Sequence, residues 1–148
     1  MEEQKKKKKL VRKIIGWVVY VAILVVLIWA IPKVMSYALN TDYPMASITS
    51  GSMWPALKKG DLVFIKGAGK EDIDIGDIVV YRNEKGFTIH RVIEKNEQTL
   101  TTKGDANNVN DSPVRYEAII GKAVERKNKP IRIPYLGSIN ILVNRSKI

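Results

Sequence analysis

The chain begins with one long apolar stretch and continues with much shorter apolar runs. Residues 14–31 contain no charged residue and no proline over eighteen positions. A helix of that length spans roughly 27 Å at about 1.5 Å per residue, which is close to the hydrocarbon thickness of a bilayer. The pattern therefore predicts a single membrane-spanning helix near the N-terminus.

Beyond residue 45 the apolar positions fall into short runs that are rich in β-branched residues and separated by Gly, Asn and Asp. This pattern is typical of strands, and no segment in this part has a convincing helical period. The predicted strands are 62–66, 78–82, 87–94, 99–103 and 119–125, with a hairpin turn at 83–86 and one more short strand at 139–143. The predicted fold class is mostly β, a compact β domain behind one N-terminal transmembrane helix.

These patterns divide the chain into four segments. They are a basic tail at 1–13, the anchor at 14–32, a polar juxtamembrane connector at 33–44 and the β domain at 45–148. A chain of 148 residues has room for one such domain and not for a second catalytic domain.

Charge gives the predicted anchor a direction. Seven Lys or Arg residues and two Glu residues lie in the first thirteen positions, so this tail carries half of the formal net charge of +10. The positive-inside rule then predicts a cytoplasmic N-terminus, and an extracytoplasmic β domain after a single pass through the cell membrane. A solvated tail or a nucleic-acid-binding arm is the alternative, but a basic run directly beside an apolar span favours the lipid bilayer as partner and no nucleic acid.

A cleaved secretory signal also begins with basic residues, so it is a second interpretation of this region. Its apolar core usually has about 7 to 15 residues and is followed closely by small residues. Here the core is longer, and Lys33 precedes the small residues Ser36 and Ala38. These differences favour an anchor that stays attached.

Composition restricts the chemistry that is open to the domain. The chain has no cysteine and a single histidine, His90. Disulfides, a thiol nucleophile and a histidine-rich zinc site are therefore excluded, and neither a metal nor a cofactor is expected. Any catalysis must use oxygen and nitrogen groups.

Candidate catalytic residues lie at the ends of predicted strands. Ser52 follows Gly51, where a tight turn can expose a hydroxyl, although the segment taken alone reads more readily as an ordinary loop. His90 lies within an apolar run and shares a face with Thr88 and Val92, as a core histidine also would. Only His90 or a lysine could take a proton from a serine near neutral pH.

Two carboxylates follow in a segment that is rich in turn-forming residues. Lys103 is the nearest alternative base to His90, but it ends a strand beside a glycine, where desolvation is harder to arrange. Asp105 and Asp111 lie in the next stretch, and either could orient the histidine by accepting a hydrogen bond from its far ring nitrogen. A surface loop with Asx turns is the plainer interpretation.

Five short segments, taken in order, resemble the type I signal peptidases over residues 48 to about 125. The form with a Ser-His pair, found in archaea, the endoplasmic reticulum and some Gram-positive bacteria, is the one this chain resembles, because His90 stands where other members have lysine. The segments are Ser50-Gly51-Ser52-Met53-x-Pro55, Lys59-Gly60-Asp61, Gly76-Asp77-Ile78-Val79, His90-Arg91-Val92 and Lys103-Gly104-Asp105-x-Asn107.

The resemblance implies a role for each candidate residue. Ser52 would be the nucleophile and His90 the general base, with Asp111 favoured as the supporting acid and Asp105 kept as an essential loop residue or as the alternative acid. The amide of Ser52 and the hydroxyl of Ser50 would hold the oxyanion.

The resemblance also implies a substrate. The enzyme would be a membrane-bound serine endopeptidase that removes signal peptides from exported preproteins and cuts after small residues at −1 and −3. An extended substrate would add as a strand beside the segment that leads into the nucleophile. The residues expected to contact it are Tyr43, Met45, Ser47, Ile48 and Thr49.

Two other functions compete with this one. A self-cleaving repressor peptidase of the related Ser-Lys type would need a DNA-binding domain and a base lysine, and neither is found in the sequence. A catalytically silent membrane-anchored β domain that binds envelope proteins would need neither Ser52 nor His90.

Overall fold

The computed structural model describes residues 1–84 and 86–139 and divides the chain into two compact units, Met1–Ala38 and the part that begins at Leu39. The first unit is one helix, α1, which spans Glu2–Ala38 and has no buried residue. By length and composition α1 is able to cross a membrane.

The helix is longer than the predicted span at both ends. It includes the basic tail and the first six residues of the predicted connector, 33–38, and Pro32 lies inside it. Neither of the two added segments contains Gly or Pro. Asn40, just beyond the helix, has a left-handed φ of 48°, which is a common way for a helix to end. The connector is therefore partly helical, where an irregular segment was expected.

The second unit is built from short strands, with 3₁₀ helices at Lys70–Asp72 and Tyr116–Ala118. The strands are β1 (Met45–Ser47), β2 (Leu62–Lys66), β3 (Ile78–Asn83), β4 (Gly86–Lys95), β5 (Thr99–Lys103), β6 (Val114–Arg115), β7 (Ile119–Ala123), β8 (Glu125–Arg126), β9 (Lys129–Pro130) and β10 (Arg132–Ile133). Together with α1, they confirm the predicted fold class.

One antiparallel sheet organises this unit. Its strand order is β1-β2-β7-β3-β4-β5-β6, and β10 also pairs with β2. β8 and β9 form a separate two-stranded sheet. β1 therefore lies at one end of the path, while β4 lies between β3 and β5.

The predicted strands at 62–66, 78–82, 87–94 and 99–103 agree with β2, β3, β4 and β5 to within a residue, and Asn83 pairs with Gly86 as the predicted hairpin requires. The predicted strand 119–125 divides at Val124. Its N–H donates to Phe64 of β2 and its carbonyl accepts from Ile131, so the chain changes partners there. Of the predicted strand at 139–143, all but Ile139 lies outside the described residues.

β3 separates two clusters of core side chains. Ile78 and Val80 join one cluster and Val79 and Tyr81 join the other, because successive strand residues point to opposite faces. Burial of each such aliphatic side chain is worth about 1.5–3 kcal/mol. The central strands are therefore held from both sides, and they provide a rigid support for the residues that β4 presents.

Candidate active site

Three side chains from distant parts of the chain form one line of hydrogen bonds. The Ser52 Oγ atom lies 3.1 Å from His90 Nε2. The His90 Nδ1 atom lies 2.5 Å from Asp111 Oδ2. A neutral imidazole with its proton on Nδ1 donates to the carboxylate and accepts from the serine hydroxyl, which is the arrangement that acyl transfer by a serine requires.

Ser52 is held in place by the loop that carries it and by a second loop. The Trp54 N–H donates to the Gly51 carbonyl at 3.0 Å, which closes a turn around the serine. The Ser52 carbonyl accepts a 2.8 Å hydrogen bond from the Ala106 N–H. A Cβ on Gly104 would lie 2.7 Å from that same carbonyl oxygen, so this close approach requires glycine.

His90 is supplied by β4, in the middle of the sheet. It lies directly opposite Val79 in the register, and it shares a face with Val92 of the second core cluster. The residue is buried, with 8% of its surface exposed. Neighbouring strands on both sides and a packed face beneath it fix the imidazole, so a single rotamer can serve the reaction.

Asp111 accepts hydrogen bonds from three groups on the same oxygen. Besides His90, the Thr102 hydroxyl donates to Oδ2 at 2.6 Å and the Tyr81 hydroxyl at 3.3 Å. The Asp111 N–H donates to the Thr102 carbonyl at 2.8 Å. Burial raises the pKa of Tyr81 above its ordinary value, and the charge of Asp111 adds to that rise. The tyrosine therefore keeps its proton and remains a donor to the carboxylate.

Asp105 has a different partner. The Arg91 side chain binds it through two parallel hydrogen bonds, Nε to Oδ1 at 2.8 Å and Nη2 to Oδ2 at 2.7 Å. The same guanidinium donates from Nη1 to the Gly76 carbonyl at 2.7 Å. Hydrogen bonding by Asp105 raises the pKa of Arg91. Asp105 thus fixes the loop whose next residue, Ala106, holds the Ser52 carbonyl.

Ser50 lies beside the candidate nucleophile. The two hydroxyl oxygens, Ser50 Oγ and Ser52 Oγ, are 3.1 Å apart. A hydroxyl at that distance can also reach an oxygen bonded to the carbon that Ser52 attacks. Ser50 is therefore in range to donate to an oxyanion.

A cavity of about 660 Å³ opens beside these residues. One wall is the segment 43–50, the other is the start of β4 from Phe87 to His90, and the floor is apolar. Four isoleucine and valine side chains form that floor: Ile65, Val80, Ile89 and Ile120. We call this cavity the groove; Ser52 and His90 line one end of it.

Comparison with known proteins identifies the family. Residues 29–124 match the model of the Peptidase S24-like family, which covers more than half of the chain. The chain belongs to the S24-like peptidases.

Among the relatives of this peptidase are subunits whose name states their activity. The signal peptidase complex catalytic subunit SEC11 of Zygosaccharomyces rouxii is 34% identical over 125 residues, covering 78% of this chain and 74% of the relative. The corresponding subunit of Pyrenophora teres is 36% identical over 129 residues, covering 76% and 70%. The resemblance to type I signal peptidases is thereby confirmed, and the chain is a serine peptidase.

The structure of the peptidase brings most of the sequence-predicted residues together. Ser50, Ser52, His90 and Asp111 form one cluster, and Asp105 lies outside it on Arg91. All five residues expected at the substrate edge line the groove: Tyr43, Met45, Ser47, Ile48 and Thr49. Met53 is buried at 1% exposure and also reaches the groove, whereas Trp54 is 59% exposed and does not line it.

Two residues of the peptidase site were not predicted from the sequence. Tyr81 and Thr102 lie on β3 and β5, on either side of the strand that carries His90. Both have the pattern of ordinary strand residues in the sequence, so only the register could reveal that they converge on Asp111. A role for Arg91 was likewise not predicted, although its motif was noticed.

Proposed function

We propose that this peptidase removes signal peptides from exported preproteins, with Ser52 as nucleophile, His90 as general base and Asp111 as the acid that orients the histidine. The observation that carries the proposal is the Ser52–His90–Asp111 line of hydrogen bonds at one end of an apolar groove. The names of the relatives support the choice of substrate, because those proteins are catalytic subunits of the signal peptidase complex.

The proposed reaction follows from this geometry. Ser52 Oγ attacks the scissile carbonyl carbon while its proton passes to His90 Nε2. The tetrahedral intermediate then breaks its C–N bond, and His90 returns the proton to the leaving amine. A water molecule deprotonated by the same imidazole hydrolyses the acyl-enzyme and restores Ser52. Asp111 accepts the hydrogen bond from His90 Nδ1 and stabilises the imidazolium in both steps.

The negative charge that develops on the substrate oxygen needs donors of its own. The Ser50 hydroxyl is one, since its oxygen is 3.1 Å from Ser52 Oγ, and the Ser52 amide is the other. Loss of one such donor in a serine protease typically lowers kcat by about 10²–10³. This division leaves Asp105 with a structural role, in which it holds the loop against Ser52 through Arg91.

We further propose that the substrate binds as a strand along β1. The main-chain groups of Pro44 and Ile48 face β2, since their carbonyls accept from Ile65 and Gly60. Alternate residues, Met45 and Thr49 among them, consequently direct their main-chain groups to the opposite side. A peptide that pairs there would extend the sheet and lie over the apolar floor, with small side chains at −1 and −3 nearest the serine.

The helix α1 is proposed to anchor the enzyme in a membrane. Its apolar segment is long enough to cross a bilayer, and the basic residues before it favour a cytoplasmic N-terminus. The β domain would then work on the extracytoplasmic side, where exported preproteins emerge. Its substrates would be held in the same membrane by their own apolar segments.

Cleavage of a preprotein by the purified, detergent-solubilised enzyme tests this function. Ser52→Ala and His90→Ala are each expected to reduce kcat by about 10⁴-fold or more, because a serine peptidase without either group retains only its binding and oxyanion contributions. Ser138→Ala, a serine that does not line the groove, is the matched control and should keep full activity. Preprotein cleavage by a folded Ser52→Ala enzyme would contradict the proposal.

The two aspartates offer a second test of the same mechanism. Asp111→Asn should lower kcat by about 10³–10⁴-fold, since an amide can impose the wrong histidine tautomer. Asp105→Asn should lower the melting temperature together with activity, because it weakens the paired hydrogen bonds to Arg91. A larger loss of kcat in Asp105→Asn than in Asp111→Asn, at equal stability, would reverse the assigned roles.

A further inference from the structure

Three side chains meet beside the groove beyond the catalytic residues; Tyr43 and Phe87 line it, and Arg82 contacts both of them without lining it. The rings of Tyr43 and Phe87 lie 5.0 Å apart between centroids and are tilted by 59°. The Arg82 guanidinium lies over the Phe87 ring, 5.3 Å from its centroid. Arg82 Nη2 also donates a 3.4 Å hydrogen bond to the Tyr43 hydroxyl. We call these three residues the aromatic cluster.

The fold places the cluster at this end from both walls of the groove. On one wall Tyr43 precedes the residues that lead to Ser52, and on the other Phe87 precedes His90 along β4. Arg82 and Phe87 are directly opposite each other in the β3–β4 register, so their side chains share a face. That face is also the one from which Ile89 contributes to the groove floor.

The two rings are not explained by core packing. Tyr43 is 42% exposed and Phe87 is 53% exposed, and neither belongs to the two core clusters or to the residues packed against them. Large half-exposed rings at the end of an apolar groove offer contact area to a ligand, since aromatic side chains lose little conformational entropy on binding. The Arg82 guanidinium beside the rings adds a positive charge, so this end of the groove can also select side chains by their charge.

The distance from the catalytic serine identifies what would reach the cluster. Phe87 lies three positions before His90 on β4, or about 10 Å at ~3.3 Å per residue of strand, and on the other wall Tyr43 lies six positions before Thr49, or at most about 20 Å. A substrate strand between the two walls, with its −1 residue near Ser52, would bring a residue between roughly −4 and −7 to the rings. Signal peptides have an apolar core of about 7–15 residues just before the small residues of the cleavage segment. The end of that core therefore meets the cluster.

We propose that Tyr43, Phe87 and Arg82 form a third substrate subsite, which binds an uncharged apolar side chain of the signal peptide about three to six residues before the −1 position. The rings supply the apolar contact. The Arg82 charge repels lysine and arginine, so a basic residue at that position is disfavoured. This inference rests on the proposed function and adds to it a recognition element beyond the −1 and −3 residues.

A peptide series tests the subsite with the full-length enzyme in detergent micelles. The peptides share one cleavage segment and carry Leu, Lys or Glu in turn at each position from −4 to −8, and a short peptide begins at −3. The wild-type enzyme should prefer Leu over Lys by about tenfold in kcat/KM at one of these positions, the scale of a lost hydrophobic contact in a binding pocket. Phe87→Ala should remove that preference and leave the short peptide unaffected.

The contribution of charge is tested separately. Arg82→Glu should reverse the discrimination so that Lys becomes better than Glu at the sensitive position. Arg115→Glu makes the same change of charge on an exposed residue that does not line the groove, and Ile75→Ala removes an exposed apolar side chain that also lies apart from it. Both control variants should behave as the wild type.

The outcomes separate the subsite from the proposed function. Cleavage that depends on Ser52 but is equal for Leu, Lys and Glu at every position would overturn the subsite and leave the proposed function standing. An equal loss on short and long peptides in Phe87→Ala would also overturn it, because the ring would then only support the fold. Absence of any Ser52-dependent cleavage in the wild-type enzyme would refute the proposed function and the subsite with it.

Discussion

At the residue scale, Asp105 and Asp111 lie six positions apart in one loop and bind different partners. Asp111 accepts from His90, Thr102 and Tyr81. Asp105 is bound by Arg91. A carboxylate that accepts several hydrogen bonds is held in one orientation, so Asp111 is suited to stabilise an imidazolium. The guanidinium of Arg91 neutralises Asp105 and leaves it a structural task.

Thr102 provides a prediction at this scale. Thr102→Val keeps the shape of a fully buried side chain but removes the 2.6 Å hydrogen bond to Asp111. A hydrogen bond to a charged group is worth about 1.5–3 kcal/mol, so kcat should fall at least about tenfold with little change in KM. Steady-state kinetics on a signal-peptide substrate measure the effect.

Thr102→Ser is the matched control, because it restores the hydroxyl and should recover most of the lost activity. A Thr102→Val enzyme with unchanged kcat would show that His90 and Asp111 do not need this donor. An equal loss in both variants would show that the hydroxyl alone does not account for the effect, because Thr102→Ser keeps it.

At the scale of elements, the groove depends on a sheet whose strands approach closely where β7 pairs with β2. A Cβ on Gly121 of β7 would lie only 2.2 Å from the Lys66 carbonyl oxygen of β2. Backbone cannot yield there without separating the two strands, and residues of both strands form the groove floor: Ile65 on β2 and Ile120 on β7. The φ of Gly121 is not in the left-handed region, so close packing against β2 is the reason that this position requires glycine.

Gly121→Ala is therefore expected to destabilise the domain. The loss should be about 2 kcal/mol, the usual cost of forcing extra volume into a packed site. Gly69→Ala is the control, since its Cβ would meet only a side-chain oxygen of Asp72 at an ordinary 3.6 Å. Denaturant unfolding in detergent compares the two variants, and equal midpoints would contradict the prediction.

At the scale of the whole molecule, the chain joins an apolar helix, Glu2–Ala38, to a peptidase domain through a short connection. If both enzyme and substrate are held in one membrane, the substrate segment is concentrated around the enzyme without any additional contact. Such tethering can raise apparent affinity by about 10²–10⁴-fold. The anchor would then raise the rate of preprotein processing, while all the catalytic residues belong to the β domain.

Removal of residues 1–38 separates these two contributions. Cleavage of a short soluble peptide should continue at about the rate of the full-length enzyme. The reason is that the deletion removes no residue of the groove, whose first residue in the chain is Tyr43. Processing of a membrane-inserted preprotein should fall by about 10²-fold, as expected when tethering is lost. The peptide assay is the control for folding, and equal preprotein rates for both proteins would rule out a tethering role.

Much of this organisation could be predicted from local sequence. Short runs of β-branched residues between turn-forming residues indicated β2, β3, β4 and β5, because strand propensity and turn propensity are both local properties. The apolar segment in α1 was equally clear. Motif order indicated Ser52 and His90 through family resemblance, since each motif is a short local pattern that survives independently of the contacts around it.

What the sequence by itself determined is therefore the set of parts: an apolar helix, a β domain, one histidine and one serine suited to acyl transfer. Only the tertiary structure decided how they combine. It gave Asp111 rather than Asp105 to His90, and it brought Tyr81 and Thr102 to that carboxylate. The reason is that strand register and sheet order join residues far apart in the chain, and no local pattern encodes which strands will become neighbours.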